Sequence, residues 1–207
     1  RRFPRTLSMA RAVRTRTGKC SLCPCACDAA RTKAAGAGVC HMGTEPVIAR
    51  AALHFGEEPC ISGTRGSGTV FFCGCALHCV FCQNEQISRN GQLGTTHSIE
   101  ALGEMLANLV GQGAHNINLV TGSHFVPSLA KALRHYPPGI PVVYNCSGYE
   151  SLEALRMLEG LIDIYLPDFK YADADVAAML SHAPEYPQVA LAAISEMRRQ
   201  TGPAVYD

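Results

Sequence analysis

From Thr69 onward the chain alternates short apolar runs with longer stretches whose apolar positions recur at helical spacing. The short runs are Thr69 to Phe72, Asn116 to Val120, Pro141 to Tyr144 and Ile162 to Leu166, and they read as strands. The longer stretches lie near Ile99 to Val110, Val126 to His135, Ser151 to Leu158, Asp173 to Leu180 and Val189 to Arg199, and they read as amphipathic helices. Ser98, Glu150 and Ser151 stand where helix starts take polar caps. Strand and helix in alternation at this spacing imply right-handed parallel units, so the expected fold class is α/β, a partial (βα) barrel of about four units. Four units do not close a barrel, and Ile162 to Leu166 would remain an apolar edge that invites association. The expectation is a fragment of a longer barrel, with an open barrel completed by a partner as the alternative.

Upstream the periodicity disappears. Residues 20–62, rich in Cys, Gly, Pro and Ala, read as a small module ordered by its ligands rather than by a core. Within it, "PVIARAALHF" is either a short strand or a helix. The glycine-rich "SGTRGSG" is expected to be a flexible joint leading into the barrel core, residues 63–207. Residues 1–19 hold six Arg and one Lys with no acid, which suits either a solvated basic tail or an organelle transit segment. Localisation is expected to be cytoplasmic, or organellar in the second case.

The tail's +7 is set against −6 over the remainder to give the net +1. No basic face with interleaved aromatics follows, so no nucleic-acid partner is expected. No apolar run reaches the roughly 18 residues of a membrane helix, so a soluble chain with no membrane partner is expected.

Eleven cysteines change the picture most. Their number is odd, and their one- to three-residue spacings suit disulfide rings poorly but metals and iron–sulfur clusters well. A reducing compartment with metal-held thiolates follows. In "FFCGCALHCVFCQNEQIS", Cys75, Cys79 and Cys82 form a CxxxCxxC directly after the first strand, and three ligands to a four-iron cluster leave one iron open for chemistry. A zinc ion completed by His78 or Cys73 is the rival on spacing alone. The C-terminal end of a parallel strand, where such folds place active sites, favours the cluster.

The CxxxCxxC, with Phe81 before its last cysteine and "QNEQIS" after it, resembles the radical S-adenosylmethionine (radical SAM) superfamily. More closely, "EEPCISGTRGSGTVFFCGCALHCVFCQNEQIS" resembles proteins similar to pyruvate formate-lyase activating enzyme. The resemblance covers roughly residues 20 to 207 and implies that Cys75, Cys79 and Cys82 hold a [4Fe-4S] cluster, with Phe81 beside the adenine of S-adenosylmethionine (SAM). Gly122 and Ser123 in "VTGSH" would inherit the contact to the SAM amino group, although the stretch departs from the Gly-Gly-Glu of better-known activases. Asn145 and Ser147 in "YNCSGY", and Asp168 and Lys170 in "PDFKYA", would reach the same pocket.

Each has a plainer reading. Asp168 and Lys170 could be a surface salt bridge worth under about 1 kcal/mol. His124 could be a loop histidine, Asn145 a turn residue, and Cys73 and Cys146 small buried hydrophobes.

Further upstream, Cys20, Cys23, Cys27 and Cys40 resemble the leader of the same proteins and could form a second site, holding zinc or a second Fe–S cluster. Cys25 is left spare, or replaces Cys23 or Cys27, and His41 is a weaker ligand candidate.

The resemblance implies an enzyme that cleaves SAM reductively to a 5′-deoxyadenosyl radical and abstracts hydrogen, in the activase case from a glycine of a partner protein. Its reductant would be a flavodoxin or ferredoxin. The competing reading is a zinc-stabilised binding protein without turnover, a degenerate or truncated relative.

Overall fold

The computed structural model describes residues 20–33, 36–89 and 93–205. The basic segment, residues 1–19, lies outside the described residues.

Among the described residues six strands form one mixed sheet in the order β3-β1-β2-β4-β5-β6. They are β1 (Val47–His54), β2 (Ser67–Phe72), β3 (Thr95–Thr96), β4 (Ile117–Val120), β5 (Val142–Cys146) and β6 (Ile164–Pro167). β2, β4, β5 and β6 run parallel in succession, and β1 adds antiparallel to the outside of β2. All four strands read from the sequence are present, and they are the parallel ones.

Alternation along these strands sorts their side chains between two faces. Val70, Phe72, Ile117, Leu119, Val142 and Tyr144 enter the main core. There they meet Leu102, Leu106 and Leu109 of α3 (Ile99–Gly111), Leu129 and Leu133 of α4 (Val126–His135), and Leu155 and Leu158 of α5 (Leu152–Leu158). Ala193 and Met197 of α7 (Tyr186–Thr201) join the same core. The intervening residues Phe71, Val120 and Asn145 point into a cavity instead.

A second, smaller core of Leu77, Cys79, Tyr149, Tyr171 and Tyr186 lies beyond the C-terminal strand ends, packed partly by α6 (Ala174–Ser181). β6 forms one edge of the sheet, with Ile164 exposed on it, as the apolar-edge expectation required.

Two upstream expectations change. "PVIARAALHF" is a strand, and it belongs to the sheet: Ala51, Ala52 and Leu53 pair with Val70, Thr69 and Gly68. A division at residue 62 therefore runs between two paired strands. "SGTRGSG" is not a free joint either. Ser62 and Ser67 are buried, the Asn116 amide donates to Ile61 O at 2.7 Å, and Gly68 N donates to Asn116 O at 2.8 Å. Gly68 is there for close packing, because a Cβ would stand 3.1 Å from Leu109 Cβ and Ala114 Cβ. Among the described residues there are also two four-residue helices, α1 (Pro59–Ser62) and α2 (Glu85–Ser88), and a 3-10 turn, Ser123–Phe125.

Of the three cap candidates, Ser98 and Ser151 cap their helices, whereas the buried Glu150 carboxylate accepts from Ser123 and Tyr144 instead. Ser98 Oγ accepts from Ala101 N and Ser151 Oγ from Ala154 N, each at 3.2 Å. Ser98→Ala is expected to cost about 1 kcal/mol in urea unfolding; an unchanged midpoint and slope would show that α3 is held by packing alone.

Candidate functional site

The loop after β2 is built to turn sharply. Gly74 has φ +81°, and a Cβ there would meet Cys40 O at 2.7 Å, so the chain passes close beneath the cysteine-rich segment. The loop then closes on itself and on its neighbours. Cys82 N donates to Cys79 O at 3.2 Å, Gly74 N to Ile87 O at 2.9 Å, and Val80 N to Leu180 O at 3.0 Å.

This fixes Cys75, Cys79 and Cys82 around one cavity of about 580 Å³ beside the C-terminal ends of the parallel strands. Leu77 N donates to Cys75 Sγ at 3.4 Å. Burial pushes the Cys75 thiol up to about 11, against the pull of the Leu77 and His78 amides, and the nearby Cys79 and Cys82 add to the rise.

Phe81, Asn145, Ser147, Asp168 and Lys170 line the same cavity, so the three loops meet. Phe81 is half-exposed and sets its edge against Tyr171 at 6.0 Å. Lys170 and Asp168 pair with each other on the cavity wall rather than away from it.

Gly122 and Ser123 are not among the lining residues; Thr121 is. Thr121 adopts φ +60°, and the chain turns there, sending Ser123 Oγ back to the buried Glu150 carboxylate and Gly122 toward Leu129. Glu150 also accepts from Tyr144 Oη at 3.3 Å. Burial lifts its carboxyl to about 7, opposed by the Ser123 and Tyr144 hydroxyls.

His124 is buried too, with Nε2 2.7 Å from Cys73 O. The bond makes Nε2 the protonated nitrogen and leaves Nδ1 buried without a partner among the described residues, and burial holds the imidazole down to about 4. Cys73 and Cys146 belong to the main core.

Sequence reasoning missed Glu57, which lines the cavity from the loop after β1. Asn145 Nδ2 donates to its carboxylate at 3.3 Å. Burial first, and Glu58 next, hold the Glu57 carboxyl above its ordinary range. The missing signal was β1 itself: without it, Glu57 reads as part of a separate module.

Among the candidate residues of a second site, Cys23 and Cys40 are buried and Cys20 and Cys27 half-buried. Arg31 Nη1 donates to Cys20 Sγ at 3.8 Å. The spare Cys25 packs against the second core with Cys75 and Cys82, and its thiol donates to Ala76 O at 3.4 Å. Among the described residues no group of three or more His, Cys, Asp or Glu is arranged to hold a metal ion.

The cavity residues fit a cluster better than a lone ion. Ligands of one zinc must crowd a single point, whereas thiolates of a cluster bind separate irons. Neighbouring thiolates raise one another, as at Cys75, and a bound cationic group reverses that. Amides aimed at sulfur, as Leu77 N is, are the donors that cluster thiolates accept. The volume beside them lies within the range of small-molecule sites.

Comparison with known proteins bears on the same residues. Over 142 residues the chain is 34% identical to an uncharacterized protein of Methanocaldococcus jannaschii, a match covering 65% of this chain and 41% of that protein. The chain thus corresponds to well under half of that relative's length. The Radical SAM superfamily model matches residues 69–206, the cysteine loop and all four parallel strands included. A match over that much of the sequence decides membership: the chain belongs to the radical SAM superfamily.

Proposed function

We propose that this chain cleaves SAM reductively and uses the product to abstract hydrogen from a substrate, in the manner of proteins similar to pyruvate formate-lyase activating enzyme. One observation carries the reading: Cys75, Cys79 and Cys82 share a single cavity with Phe81, Asn145, Asp168 and Lys170, at the C-terminal ends of parallel strands. A [4Fe-4S] cluster held by the three thiolates would supply the electron that splits SAM to methionine and a 5′-deoxyadenosyl radical.

The chain's own residues bind and orient. Phe81 offers an apolar face to the adenine. The Lys170 ammonium suits the SAM carboxylate, and Asp168 accepts from ribose hydroxyls. The Asn145 amide and the Glu57 carboxylate bound to it supply further polar contacts on the cavity wall. Phe71, Phe72 and Leu77 form an apolar wall that limits water. A flavodoxin or ferredoxin would serve as reductant, and a glycine in a partner protein as the hydrogen donor.

Anaerobic reconstitution with iron and sulfide, followed by dithionite and SAM, tests the reading. About four irons per chain and release of 5′-deoxyadenosine are expected. Zinc alone, or an intact cluster that releases no 5′-deoxyadenosine, would favour a binding protein without turnover.

A further inference from the structure

We infer that Tyr186 is a positioning residue whose hydroxyl sets the two loops that carry Ser147, Asp168 and Lys170, and so governs affinity for SAM. The inference rests on the functional reading above and adds a residue outside the cavity to it.

Tyr186 opens α7 and is fully buried. The ladder between β5 and β6 ends at Cys146 and Pro167, with one further bond from Asp168 N to Cys146 O at 2.9 Å. Past that point the Tyr186 hydroxyl takes over. Its oxygen accepts from Lys170 N at 2.8 Å, and its single proton faces two carbonyls, Ser147 O at 2.7 Å and Asp168 O at 2.9 Å. One atom therefore joins the loop after β5 to the loop after β6.

The ring is itself held on several sides. Tyr149 stacks on it at 6.1 Å, Tyr171 meets it edge-on at 5.2 Å, and Phe169 lies 6.2 Å away. A ring packed this way cannot follow a loop that drifts, so the hydroxyl acts as a fixed reference. The hydroxyl contacts three backbone groups, all within two cavity loops. Asp168 and Lys170 bond to each other, so nothing in their own pair fixes where the pair stands on the wall. Their backbone does, and Tyr186 holds it.

Tyr186→Phe keeps the ring and deletes the anchor. In the protein without cofactors, the Lys170 amide is expected to exchange its hydrogen about tenfold faster than in the wild type. In the cluster-loaded protein, SAM affinity by equilibrium dialysis is expected to fall about tenfold, with iron content unchanged.

Tyr165→Phe is the control. It removes a bond of 2.6 Å from Tyr165 Oη to Gln200 Oε1, on β6 but away from the loops, and should lower stability while leaving SAM affinity as it was. Equal SAM affinity in Tyr186→Phe and the wild type, or an equal loss in both variants, overturns the inference. So does a Tyr186→Phe protein that fails to fold, since the hydroxyl would then serve the whole structure. If the wild type binds its irons and releases no 5′-deoxyadenosine, the functional reading falls and takes this inference with it.

Discussion

Cys79→Ala is expected to leave the fold standing and abolish release of 5′-deoxyadenosine. What the substitution removes is one buried thiol from the second core, where Cys79 is 7% exposed beside Leu77 and Tyr171. The backbone bonds that shape the loop survive, because Cys82 N and the Arg89 guanidinium both bind the Cys79 carbonyl rather than its side chain. Loss of packing should therefore cost about 1 kcal/mol. The chemical cost is of another order. Two thiols cannot hold a cluster that needs three, so bound iron should drop with activity after identical reconstitution.

Cys73→Ala supplies the contrast. Cys73 is fully buried in the main core, and its backbone contacts, from its N–H to Val47 O and from His124 to its carbonyl, do not need the thiol. It should lose some stability and keep both iron and turnover. A Cys79→Ala protein that still binds about four irons and still releases 5′-deoxyadenosine would remove Cys79 from the ligand set.

The contrast between these neighbouring cysteines also marks how far the sequence could be read. Spacing alone left Cys73 open as a zinc ligand; the place of the CxxxCxxC after a parallel strand set Cys75, Cys79 and Cys82 apart from it, and the structure gathers the three around one cavity. Three of the parallel strands were legible because they alternate core with cavity residues or are buried on both sides, as Ile117 to Val120 is, and β6, exposed at Ile164, was legible from its apolar run alone. β1 was not. "VIARAALH" is half-buried along most of its length, its small alanines fit a strand or a helix equally well, and only pairing with β2 decides the matter. Glu57 was lost with it.

In "VTGSH" direction was not legible. Thr121, Gly122 and Ser123 follow the strand in order, and which of them faces the cavity depends on the left-handed turn at Thr121, a conformation that threonine seldom advertises. Tyr186 carried no local signal at all. It lies 16 residues from Lys170 and 39 from Ser147, and only the packing of α7 brings its hydroxyl to them.

Glu150→Gln is expected to change how stability depends on pH more than it changes stability itself. The Glu150 carboxyl rises from 4.5 to about 7 on folding, chiefly through burial. Below pH 4.5 it is protonated in both states. As pH rises from 4.5 to 7 the unfolded chain releases the proton and the folded one keeps it, so stability falls, by about 3 kcal/mol in all. His124 works in the opposite sense. Its imidazole drops from 6.5 to about 4 because protonation would bury a charge at an Nδ1 with no partner among the described residues. As pH rises from 4 to 6.5 the unfolded chain loses a proton that the folded one never held, and stability grows by about 3 kcal/mol.

The two slopes overlap and oppose each other between pH 4.5 and 6.5, so in urea titrations of the wild type the Glu150 fall offsets the His124 rise. With glutamine at 150, which can still accept from Ser123, the Glu150 fall is gone, and stability should climb by about 3 kcal/mol more than in the wild type across the same interval. Everything the two proteins share, including the raised Glu57 carboxyl, cancels in the difference between them. Parallel pH profiles for wild type and variant would mean that Glu150 is ionised in the folded protein, and that Ser123 and Tyr144 stabilise a buried carboxylate rather than an acid.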